Sequence, residues 1–120
     1  MNLNRRFLRG ELLGGSLLDL VEDNSAWSQA TFGSDAERGP IGALKHLEEE
    51  AREAQAEPTD ILEYADCLLL LLDATRRAGW SVEDLVNAAY DKMKVNKTRT
   101  FIKAPPDQPS HHLANGIPTR

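Results

Sequence analysis

Between Thr59 and Ala78 the chain carries Ile61, Leu62, Ala65, Leu68, Leu69 and Leu72 at helical spacing, with Leu70 and Leu71 extending the apolar surface further round. At about 100° per residue these side chains cover nearly half of a helical wheel, while Glu63, Asp66, Asp73 and Arg77 share one narrow opposing sector with Leu70. A helix this apolar has to be covered on more than one side, either centrally in a bundle or across an interface between copies. Its carboxylates are then kept from full exposure, and an ionised carboxylate in such a place neutralises, pairs with a cation or binds metal.

The flanking sequence predicts the rest of an all-α fold. Leu8, Leu12, Leu13, Leu17, Leu18 and Val21 give a first helix, loosened at Gly14 and Gly15. Residues 24–40, with Trp27, Phe32, Gly33, Gly39 and Pro40, have a loop composition with room for a helical turn around Ser25 to Thr31. Leu44, Leu47, Ala51 and Ala54 form the stripe of a second helix from Ile41 to Ala56, which Pro58 stops. The third helix runs from Thr59 or Asp60 to Ala78, and Gly79 sits where a left-handed cap belongs. Ser81 and Asp84 then resemble a capping box opening a fourth helix, with Val82, Leu85, Val86, Ala89 and Met93 on one face, ending near Arg99. The expected division is a domain over residues 1–102 and a proline-rich, extended or disordered tail over 103–120. His111 and His112 read there as solvated residues, because nothing nearby completes a ligand set.

Size and charge narrow the function classes. A chain of 120 residues fits one domain with a core of its own. Its single cysteine, Cys67, excludes an intrachain disulfide, suits a reducing cytoplasm and reads as a small buried hydrophobe. A formal net charge of -5 argues against a nonspecific grip on nucleic-acid polymers. The apolar run Cys67 to Leu72 is too short to span a membrane. Arg5, Arg6 and Arg9 imitate the front of a signal peptide, but Glu11, Asp19, Glu22 and Asp23 interrupt the apolar residues after them, so an amphipathic helix is the better reading.

The chemistry lies in paired acids. Glu50 with Glu53, and Glu63 with Asp66, stand three residues apart and so share a helical face within each pair. Four converging carboxylates exceed what Arg77 can neutralise, and an all-oxygen cluster suits the hard cations Mg2+ or Mn2+. Di-iron bundles use Glu-x-x-His motifs, which are absent here. On the fourth helix Lys92, Asn96 and Arg99 line one edge, offering a point charge, an amide and a forked guanidinium to phosphate oxygens. Each pattern has a plainer reading: Glu-x-x-Glu is common on solvated helices, and basic residues collect at helix C-termini for dipole reasons. Trp27 and Phe32 are core plugs or platforms for a nucleobase, and His46 is a surface residue or a base contact. Asp73 is a further acid behind the site or the partner of Arg77. The competing class is a noncatalytic acidic helical bundle that binds a protein partner; a third is a phosphohydrolase releasing inorganic phosphate alone.

In order along the chain, Glu50-x-x-Glu53, Glu63-x-x-Asp66 and Lys92-x-x-x-Asn96-x-x-Arg99 resemble the MazG-like all-α nucleoside triphosphate pyrophosphohydrolases. The stretch Trp27-Ser28-Gln29-Ala30-Thr31-Phe32-Gly33, followed by Gly39-Pro40, His46-Leu47 and Glu63-Tyr64-Ala65-Asp66, is similar to the dATP/dGTP pyrophosphohydrolase branch common in phages. This resemblance covers about Ala26 to Phe101 and implies a four-helix-bundle-like fold assembled as a homodimer or homotetramer. It implies that Glu50, Glu53, Glu63 and Asp66 hold two or more Mg2+ or Mn2+ ions per site, and that Lys92, Asn96 and Arg99 contact phosphate or nucleotide. Glu49 matches an extra glutamate that helps position water, which with Glu50 makes the catalytic pair. The reaction implied is water attack at the α phosphorus of a purine nucleotide (dGTP, GTP or dATP), releasing the monophosphate and pyrophosphate, in the host cytoplasm for a phage protein. The link from Gln55 to Leu62 is shorter than in many members, leaving less room for a loop that encloses the base.

Overall fold

In a computed structural model of the chain, residues 16–114 and 117–118 are described. Four helices follow one another: α1 (Ser16–Phe32), α2 (Ile41–Ala56), α3 (Ile61–Arg77) and α4 (Val82–Lys97). The only β structure among the described residues is a two-residue antiparallel pair, β1 (Leu113–Ala114) with β2 (Ile117–Pro118), and a single bridge between Phe101 and His112. The chain divides into two compact units between Val82 and Glu83.

In the first unit, α2 and α3 form a helical hairpin and α1 packs on α3. The hairpin is tight because residues 57–60 alone join its arms: Tyr64 donates its hydroxyl hydrogen to the Pro58 carbonyl at 2.6 Å, and Asp60 caps α3 by accepting from the Leu62 amide at 2.9 Å. Of the α2 stripe, Leu47, Ala51 and Ala54 are half-buried, while Leu44, one turn before Leu47, is 43% exposed in the lone chain. At its far end α3 closes in a Schellman turn: Gly79, at φ +98°, donates to the Arg76 carbonyl, and the Trp80 amide donates to the Thr75 carbonyl.

Two expectations change. Residues 24–32 are not a loop but the second half of α1, and the true connection is residues 33–40. The stretch hides its helicity because its large residues stay open in the single chain, Trp27 at 60% and Phe32 at 50% exposure, while its buried position is the small polar Ser28. The part of the first helix expected before Ser16, with Gly14 and Gly15, lies outside the described residues. The apolar surface of α3 is covered only at its C-terminal half, where Leu72 and Ala74 are buried; Ile61, Leu62, Leu68 and Leu71 are exposed in the lone chain.

In the second unit, α4 is followed by an extended segment that turns at residues 106–107 and returns antiparallel to itself. The Leu113 amide donates to the Thr100 carbonyl at 2.7 Å, and the Ile102 amide to the His111 carbonyl at 3.1 Å.

Candidate functional site

The α2–α3 hairpin brings the two acidic pairs face to face. One carboxylate oxygen from each of Glu50, Glu53 and Glu63 lies within 4.8 Å of the other two. Glu50 and Glu63 are partly withdrawn from solvent, and each keeps a buried oxygen, Oε2, without a hydrogen-bond partner among the described residues. Loss of solvent, the largest influence, together with a hydrogen bond and repulsion from Glu53 and the charge of Asp66, pushes the Glu50 carboxyl above its ordinary range; His46 pulls the other way. Glu63 is raised as well, by loss of solvent first and then by Glu53, Asp60, Asp66 and Glu57. Asp66 is more exposed and lies outside the tight set of three, but its charge bears on both raised glutamates and it faces the same hollow as Glu50. Glu49 is exposed on α2 and is not in that set.

Such a group is electrostatically unsatisfied on its own. Orphaned carboxylate oxygens, mutual repulsion and no lysine or arginine within the set are the donor arrangement that a hard divalent cation completes. The residues present therefore fit Mg2+ or Mn2+.

Beside the acids lie two adjoining hollows. The first, about 170 Å³, is bordered by Trp27, Phe32, His46, Glu50 and Asp66; the second, about 210 Å³, by Phe32, Arg38, Gly39, Gly42 and His46. Both are an order of magnitude larger than the ~10–15 Å³ that one water needs. Trp27 and Phe32 meet edge to face, with ring centres 5.4 Å apart, and form part of the wall. His46 borders both hollows and approaches Glu50 through Nε2 at 3.5 Å. The three residues singled out for a base thus stand together next to the acids.

Sequence reasoning missed what fastens this wall. Asp73 accepts from Arg76 Nη2 at 2.6 Å and from Arg77 Nε at 3.0 Å, which settles it as an arginine partner. Arg77, with its side chain 3% exposed, also donates to Ser28 Oγ and to the Gly33 and Ser34 carbonyls, and Arg76 reaches Asp35 at 3.0 Å. Burial, the largest influence, raises the Asp73 carboxyl, but hydrogen bonds from Ser28, Arg76 and Arg77 together outweigh it and hold the group below its ordinary range. The pairing within α3 was legible from the i,i+3 and i,i+4 spacing; the reach to Ser28 and Asp35, more than forty residues away, left no local signal.

In the second unit Lys92 and Asn96 lie on α4 and Arg99 just beyond its end, all exposed, with Arg99 Nη1 3.5 Å from Asn96 Oδ1. His111 and His112 are half-buried rather than solvated, and the His112 ring stacks edge-on against Phe101.

A family model of dATP/dGTP pyrophosphohydrolases matches residues 20–116 of the chain. The Eaa protein of Salmonella phage P22 is 44% identical over 91 residues, which are 76% of this chain; the chain spans 28% of that protein's length. Among solved structures, the MazG-like pyrophosphohydrolase of cyanophage S-2L, bound to dGDP and three catalytic Mn2+ ions per active site, matches with a TM-score of 0.64 and 29% identity, over 81% of this chain and 96% of that one.

Proposed function

Since the chain belongs to the dATP/dGTP pyrophosphohydrolase family, we propose that it hydrolyses nucleoside triphosphates, with dGTP, GTP or dATP as the purine substrates, to the monophosphate and pyrophosphate. The observation that carries this reading is the trio Glu50, Glu53 and Glu63, with two buried oxygens that have no partner among the described residues, beside hollows walled by Trp27, Phe32 and His46. The dGDP and Mn2+ ions of the cyanophage relative support the same kind of ligand here.

In this proposal Glu50, Glu53, Glu63 and Asp66 hold two or more divalent cations, Mg2+ or Mn2+. When bound, these supply the positive charge that offsets charge gathering on the phosphate oxygens during displacement. Glu49 and Glu50 orient the attacking water and accept its proton as its oxygen bonds to the α phosphorus; the bond from that phosphorus to the bridging oxygen breaks, and pyrophosphate leaves. Lys92, Asn96 and Arg99 donate to phosphate oxygens. Trp27 and Phe32 flank the base, with His46 beside it.

We further propose a homodimer or homotetramer, working in the host cytoplasm in a phage context. Exposed Ile61, Leu62, Leu68 and Leu71 on one helix support assembly, since single chains rarely leave so much apolar surface open. No helix among the described residues is long and apolar enough to cross a membrane.

Chromatography of the products after incubation with each deoxynucleoside triphosphate and Mn2+ tests the reaction. Equal amounts of monophosphate and pyrophosphate are expected. Diphosphate with inorganic phosphate would assign a different reaction, and no cation-dependent product would leave a noncatalytic bundle.

A further inference from the structure

Among the arginines bordering the second hollow, one keeps donors without a partner among the described residues. Of the charged residues around it, Asp73 is saturated by Arg76 and Arg77, and Arg77 is engaged at all three nitrogens. Arg38 differs. Its stem lies over Gly33, its Nη1 donates to the Phe32 carbonyl at 3.1 Å, and its Nη2 and Nε have no partner among the described residues. Two glycines make this pose possible. A Cβ on Gly33, which is at φ +112°, would press on the Arg38 stem at 3.3 Å, and one on Gly42 would meet Arg38 Nη2 at 3.4 Å. The guanidinium is therefore held at its stem and at one nitrogen beside a cavity whose lining also includes Phe32, His46, Leu70, Asp73 and Arg77.

A tethered fork of N–H donors selects a ligand edge that presents two adjacent acceptors. Guanine offers O6 and N7 side by side; adenine offers N7 next to an amino group, which sets N–H against N–H. We propose that Arg38 reads the O6/N7 edge of the base in this hollow and makes the enzyme prefer guanine over adenine nucleotides. The inference rests on the nucleotide-hydrolase reading above and names which base that site takes. Gly33 and Gly42 serve it by leaving room for the guanidinium.

The test compares kcat/KM for dGTP and dATP in the wild-type enzyme and in Arg38→Met and Arg38→Lys, with dITP as a third substrate. Wild type should favour dGTP, and dITP, which keeps O6 and N7 but lacks the 2-amino group, should follow dGTP. Arg38→Met should lower dGTP turnover by about 10- to 100-fold while leaving dATP within about threefold, and Arg38→Lys should fall between. An unchanged dGTP/dATP ratio in Arg38→Met, or a wild type that treats dITP like dATP, overturns the proposal. The dITP comparison needs no variant to fold. If wild type turned over no nucleotide the hydrolase reading would fail separately, and calorimetric binding of dGDP against dADP by wild type and Arg38→Met would still decide the role of Arg38: equal affinities in wild type overturn it.

Discussion

Glu50 and Glu63 on one side and Asp73 on the other are held in opposite electrostatic situations, and their pH behaviour separates them. Glu50 and Glu63 are held above the ordinary glutamate range, so without cations they keep protons that the unfolded chain releases. Their contribution favours the fold at low pH and is lost as pH rises through the ordinary value to the raised one. Asp73 is held low; its contribution is complete above the ordinary aspartate value and disappears as pH falls through the folded one. The cation-free protein should therefore be most stable in mildly acidic solution, with a maximum that moves upward when Mn2+ replaces those protons. Melting curves across pH in EDTA and in Mn2+ check this; superimposable profiles would refute it. Asp73→Asn should cost about 3 kcal/mol, measured by urea denaturation, by removing the carboxylate that both Arg76 and Arg77 hold and leaving the buried Arg77 with only the longer 3.5 Å pairing to Asp35. Glu63→Gln and Asp66→Asn should each lower turnover by more than about tenfold with little loss of stability, since they relieve repulsion while removing proposed ligands.

At the scale of elements, the most legible parts were those whose signals are local. The stripe Leu44, Leu47, Ala51 and Ala54 with Pro58 beyond it predicts α2 over the residues it occupies, and Gly79 ends α3 in the geometry its position demands. Gly79→Ala should cost about 1 kcal/mol in melting experiments, because φ +98° disfavours a side chain, and Asp60→Ala should cost a similar amount by removing the cap. The end of α1 was not legible, because Trp27 and Phe32 form a wall beside the site instead of an inward stripe, and the buried residue there is Ser28. The same division holds for the site. Glu50, Glu53 and Glu63 announce themselves by spacing on two helices, whereas Arg38 and Gly39 enter only because the connection over residues 33–40 borders the same hollow as His46.

For the whole molecule, an acidic trio, an aromatic-walled hollow and a helix with open apolar surface occur together in one chain. Sedimentation of the purified protein should show a dimer or tetramer, and Leu68→Glu should shift it toward monomer without altering the sequence of the acidic motifs. Both the chemistry and the pH behaviour depend on the acids holding divalent cations. Electron paramagnetic resonance of added Mn2+, whose free signal falls as the ion is bound, measures that binding directly in wild type and in Glu50→Gln and Glu63→Gln. At least two ions should be bound per wild-type chain near neutral pH, with loss of one or more in each variant. Wild-type protein that leaves the Mn2+ signal unchanged, or variants that bind as many ions as wild type, would contradict a cation-holding role for these glutamates.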